Sequence, residues 1–109
     1  MFLYFILILA IAFEVTGTLL LPLTNNFSKI YPTLFVLFLY GISFYLLSIL
    51  SSKLPLAVIY ASWAGMGILL VTVLSFYIYK QVLNFFTVVG IILILIGVIL
   101  VNYFKEYNN

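Results

Sequence analysis

FLYFILILAIAFEVTGTLLL, residues 2–21, is long and apolar enough to cross a bilayer, yet it holds a glutamate, Glu14, near its middle. A spanning helix needs roughly 20 predominantly apolar residues. This stretch meets that length with one charged side chain, about 12 residues in and so roughly 18 Å deep at 1.5 Å per residue. A charge at that depth costs about 2.5–3.5 kcal/mol on insertion scales, and acids placed there usually serve ion or substrate pathways.

The rest of the chain belongs to the same solvent. Of its 109 residues 68% are hydrophobic and 6% charged, and the mean hydropathy is +1.43. Soluble domains carry about a quarter charged residues. The expectation is therefore an all-α integral membrane protein. Cysteine and histidine are both absent, which removes disulfides, thiolate metal sites and the commonest zinc ligand and general base. Neither a metal nor another cofactor is expected. A net charge of +2 is too sparse for a nucleic-acid surface, and one mid-span acid offers little for enzymatic acid–base or nucleophilic work.

Outward from residues 2–21, the sequence divides into four short transmembrane helices in a single domain covering 1–109. The first is followed by the polar turn LPLTNNFSK. The second runs over about 32–51 from Pro32, a good first-turn residue, and ends in the tight turn SSKLP. The third covers about 55–77 and is followed by YKQVLN; the fourth covers about 85–104 before the polar tail KEYNN. Short connections make consecutive helices antiparallel neighbours. The first segment lacks a basic leader and a small-residue cleavage site, and is expected to be retained. Lys53 and Lys105 fall on one side of the membrane, Lys29 and Lys80 on the other. The positive-inside rule then gives no preference. Either another factor decides orientation, or the chain inserts both ways and pairs antiparallel.

No lysine or arginine lies at the depth of Glu14 in any span. Its carboxyl is then either protonated in the apolar state or paired with a cation from outside the chain. Ala10, Glu14, Gly17 and Thr18 share a helical face that is small apart from the carboxyl. Tyr40, Phe44 and Leu47 share a face of the second span; Tyr60, Trp63 and Gly67 share one of the third. Tyr40 and Trp63 each lie about eight residues inside their spans, below the interfacial level where aromatics usually gather. Aromatic faces attract organic cations, so a carboxylate among aromatic walls suits a bulky lipophilic cation. Packing between helices would use the same aromatics. Gly65 and Gly67 serve either as a hinge that lets such a pocket switch sides or as close-packing sites. Gly90 and Gly97, seven residues apart on the aliphatic fourth span, lie on one face suited to dimerisation.

AFEVTGT around Glu14, YGISFYLLS from Tyr40, AVIYASWAGMGI around Trp63 and VVGIILILIGVILVN on the last span, in this order, resemble the small multidrug resistance family over essentially the whole chain. The resemblance implies an antiparallel, dual-topology homodimer in the cell membrane that exports lipophilic quaternary-ammonium-type cations in exchange for protons. Glu14 would be the shared proton and substrate site. Tyr40, Tyr60 and Trp63 would line the pocket, with Tyr4, Ala10, Ile11, Gly17, Thr18, Phe44 and Leu47 nearby, and Gly90 and Gly97 would form the dimer contact. Guanidinium exporters of this family typically carry tryptophan two residues beyond the glutamate; Thr16 stands there, as in the multidrug subtype. Two departures lie in the loops. Pro22 stands where the family usually has lysine, and Lys80 where it usually has glycine.

The alternatives are export of a small cationic metabolite such as guanidinium or a polyamine, or a role as one subunit of a heteromeric transporter. A proton-carrying ring subunit would need only two spans and leaves the aromatics without a role.

Overall fold

The computed structural model describes residues 2–105; Glu106 and the rest of the polar tail lie outside them. Four helices follow one another: α1 (Phe2–Leu20), α2 (Ile30–Leu50), α3 (Leu56–Tyr79) and α4 (Phe85–Tyr103). All four are long and apolar enough to cross a membrane. The bundle measures 44 × 34 × 19 Å, about two helices thick in its thinnest direction.

The boundaries show how local chemistry trims the apolar runs. A short 3-10 turn, Leu21–Thr24, extends α1, because Pro22 cannot donate the next α-helical hydrogen bond. Thr24 then staples the turn: its hydroxyl donates to the Leu21 carbonyl (2.8 Å) and accepts from the Phe27 amide (3.2 Å). The helix α2 starts at Ile30, two residues before the expected Pro32, which still falls in the first turn. There a missing N–H costs no helical hydrogen bond. Pro55 precedes α3, and the Asn84 side chain caps α4 by accepting from the Thr87 amide at 2.8 Å.

The helix α3 runs two residues beyond the expected Tyr77, to Tyr79. It closes at Lys80 in the left-handed conformation (φ 57°), the Lys80 amide donating to the Ser75 carbonyl. Glycine adopts that conformation freely, whereas an L side chain pays for it. Lys80→Gly is expected to stabilise the protein by about 1 kcal/mol, read as a higher melting temperature in detergent. Lys80→Ala removes the same charge without relieving the backbone and serves as the control.

The core sits where α1 crosses α2 and α3. Ile6, Leu7, Ile11 and Val15 of α1 pack with Leu50, Leu54 and Ile59 around the α2–α3 turn. The Ser43 hydroxyl, fully buried, donates to the Ala10 carbonyl at 2.7 Å and ties α2 to α1. By contrast α4 packs on α3 and buries only Ile91 among its described residues. No Cβ built on Gly90 or Gly97 would meet anything within 4 Å, so this stripe of α4 is open.

The helix α3 passes unbroken through Gly65 and Gly67, and both are points of close approach. A Cβ on Gly65 would collide with Val98 Cγ2 of α4. Gly65→Ala should push α3 and α4 apart and destabilise the protein by about 1–3 kcal/mol, the usual range for overpacking. Trimming the obstacle, in Gly65→Ala/Val98→Ala, should recover most of that loss in thermal melts.

Candidate functional site: a membrane carboxyl between aromatic walls

Glu14 is half-buried on α1, facing α2 and α3. One turn further on, the Thr18 hydroxyl donates to Glu14 Oε1 at 2.7 Å and lies 2.8 Å from the Tyr40 hydroxyl of α2. A threonine hydroxyl has one proton to give. With that proton directed at Glu14, Tyr40 donates to Thr18, so the three form a directed chain ending on the carboxyl.

Two glycines make room for this arrangement. A Cβ on Gly17 would lie 2.9 Å from Tyr40 Cε1, so the bare backbone lets the Tyr40 ring lie on α1. A Cβ on Gly67 would lie 3.1 Å from Glu14 Oε2; its absence lets the carboxyl point at α3.

Glu14 borders two clefts, and Trp63 belongs to both. The larger, about 250 Å³, is lined by Glu14, Thr18, Trp63, Ala64, Gly67, Ile68 and Val71. The smaller, about 160 Å³, lies among Glu14, Tyr40, Phe44 and Trp63. The Trp63 ring stands 5.6 Å from Phe44 and 5.7 Å from Tyr60 between centroids, within the range for favourable aromatic pairs. Its Nε1 is buried without a hydrogen-bond partner among the described residues. Phe44 and Tyr60 are largely exposed, so the aromatic flank is open on the side away from the bundle. The four lysines stand outside the helices, far along the chain from Glu14.

Glu14, Thr18, Tyr40, Phe44 and Trp63 thus come together, with Gly17 and Gly67 beneath them and Tyr60 reached through Trp63. The other expected pocket residues lie elsewhere. Ile11 belongs to the core, Leu47 packs against it, and Ala10 is fully buried under Ser43. Tyr4 borders neither cleft; its hydroxyl donates to Asn102 Oδ1 at 3.0 Å. Conversely Ala64, Ile68 and Val71 line the larger cleft without having been singled out. With Gly67 they form an i, i+3, i+4, i+7 stripe, the signal that marks them.

The profile of a family described as Small Multidrug Resistance protein matches residues 2–94. Quaternary ammonium compound-resistance protein QacC of Staphylococcus aureus is 45% identical over 101 residues, 93% of this chain and 94% of that protein. The corresponding QacG of Staphylococcus sp. (strain ST94) is 43% identical over 103 residues, 94% and 96% of the two chains. Multidrug resistance protein EbrA of Bacillus subtilis (strain 168) is 37% identical over 100 residues, 92% and 95%. The chain belongs to the small multidrug resistance family, as a multi-pass, four-helix protein of the cell membrane.

Proposed function

We propose that the chain is a proton-coupled antiporter that exports lipophilic, quaternary-ammonium-type cations. In this reading it works as an antiparallel homodimer inserted in both orientations, whose two Glu14 carboxyls hold either protons or one cation. The observation that carries the reading is the Glu14 carboxyl itself. It accepts from Thr18, faces two clefts that share the Trp63 wall, the smaller of them also lined by Tyr40 and Phe44, and has no cationic side chain within the spans to neutralise it. A quaternary ammonium ion supplies the missing charge and can lie against the aromatic faces. The names of QacC and QacG favour the same substrate class, and that of EbrA favours multidrug export.

Cleft size supports the dimer. Drug-sized ligands occupy pockets of about 300–1,000 Å³ that enclose most of their surface, and clefts of about 250 and 160 Å³ with an open flank fall short. A second copy across Phe44, Tyr60 and Trp63 would enclose the cation and add a second carboxyl. Balanced lysines on the two membrane sides allow the opposite insertion this needs.

Proton and cation exclude one another because a protonated carboxyl offers no charge to the cation. Proteoliposomes with an acid interior should therefore accumulate external tetraphenylphosphonium against its gradient, and lose it when an ionophore collapses the pH difference. Binding without any gradient-driven uptake would contradict the coupled reading.

A further inference from the structure

Side-chain hydrogen bonds hold α1 at each end of its span, and Glu14 lies between them. At the end where α1 begins and α4 finishes, one residue ties three helices. Asn102 Oδ1 accepts from the Tyr4 hydroxyl of α1 (3.0 Å), while Asn102 Nδ2 donates to Ser62 Oγ of α3 (2.6 Å) and to the Val98 carbonyl of its own helix (3.0 Å). Lys105 Nζ donates to the Asn102 carbonyl at 3.1 Å and stands 5.0 Å from the centre of the Tyr4 ring. At the opposite end the Tyr79 hydroxyl of α3 donates to the Leu19 carbonyl at 2.6 Å. Leu19 is in the last turn of α1, where backbone carbonyls lack α-helical partners.

Both Glu14 clefts have α1 on one side and α3 on the other. Widening a cleft toward either membrane face moves one end of α1 away from α3. That movement breaks the tie at the same end and can leave the other intact. Hydrogen bonds between helices in a bilayer have mean and upper strengths that correspond to about 3-fold and about 20-fold in a rate or equilibrium constant. Ties of this strength hold a conformation and still break within a transport cycle.

We propose that Tyr79 and Asn102 are positioning residues that latch the two ends of α1 to α3 and limit how fast the Glu14 cleft changes sides, without touching the cation. The proposal rests on the transport reading above. Tyr79→Phe removes one oxygen and keeps the ring, so it is the principal test; Asn102→Leu is the second. In proteoliposomes at saturating tetraphenylphosphonium, Tyr79→Phe should raise turnover about 3-fold or more, with the dissociation constant within about 2-fold of the parent's. An unchanged turnover, or turnover and affinity falling together with the melting temperature, would make the bond a merely structural tie and overturn the proposal.

A second readout does not depend on transport. Spin labels at Leu23, in the 3-10 turn that extends α1, and at Ile78 of α3, both exposed, report the separation of the two at the Tyr79 end. Tyr79→Phe should broaden that distance distribution, and an unaltered distribution would refute the latch. If the parent protein neither bound nor moved the cation, the transport reading would fail while this measurement still judged the latch.

Discussion

Glu14→Gln should reduce proton-driven export of tetraphenylphosphonium to background, a loss of at least about 100-fold. Glutamine keeps the shape of the side chain, and its amide oxygen can still accept from Thr18, which donates to Glu14 at 2.7 Å. The Tyr40–Thr18 contact at 2.8 Å needs no carboxyl, so the fold and the first half of the polar chain should survive. What disappears is the negative charge that offsets the cation and the proton that must leave before the cation binds. At an effective dielectric constant of about 20, unit charges 4 Å apart attract by about 4 kcal/mol, close to a thousandfold in affinity. Glu14→Asp, with its carboxylate one methylene further back, should retain coupled export at a reduced rate. An uncoupled but intact protein is the expected Glu14→Gln phenotype, with an unchanged melting temperature as the check on folding.

Trp63→Ala should weaken tetraphenylphosphonium binding by on the order of tenfold or more, the strength of a desolvated cation–π contact. The indole is the wall common to both clefts and is paired with Phe44 and Tyr60. Its removal merges the clefts and loosens the aromatic flank. Because Nε1 has no hydrogen-bond partner among the described residues, Trp63→Phe breaks no such bond and should keep most of the affinity. Isothermal titration of the two variants separates the aromatic face from mere volume. Equal losses in Phe and Ala would assign the effect to the indole N–H instead.

The long apolar runs exposed the four helices because lipid permits little else: each backbone polar group must be satisfied within its own helix. The ends were less legible. Pro22 and Pro32 are strong punctuation, yet the chain continues as a 3-10 turn past the first and begins α2 before the second. Lys80 could be noted in sequence only as a residue standing where glycine is usual; the left-handed backbone there supplies its physical meaning.

The candidate site was half legible. Glu14 stands out because an unpaired acid in lipid is costly, and Tyr40, Phe44 and Trp63 because they lie deep in their spans. Shared helix faces added Ala10, Gly17, Thr18 and Leu47, the family resemblance added Tyr4 and Ile11, and packing then divided the set. Ile11 lies in the core, Leu47 packs against it, and Tyr4 bonds to Asn102. That last contact joins residues 98 positions apart, and periodicity within either helix carries no trace of it. An asparagine near a helix end reads as a polar terminus, and only the fold places Tyr4 and Ser62 around it.

One carboxyl serving proton and cation in turn is tested most directly by tetraphenylphosphonium binding to purified protein across pH, beside Glu14→Gln. Competition predicts affinity that rises with pH to a plateau in the parent protein, and no binding at any pH in the variant. Binding that ignored pH, or that survived in Glu14→Gln, would contradict the shared site and place the cation elsewhere.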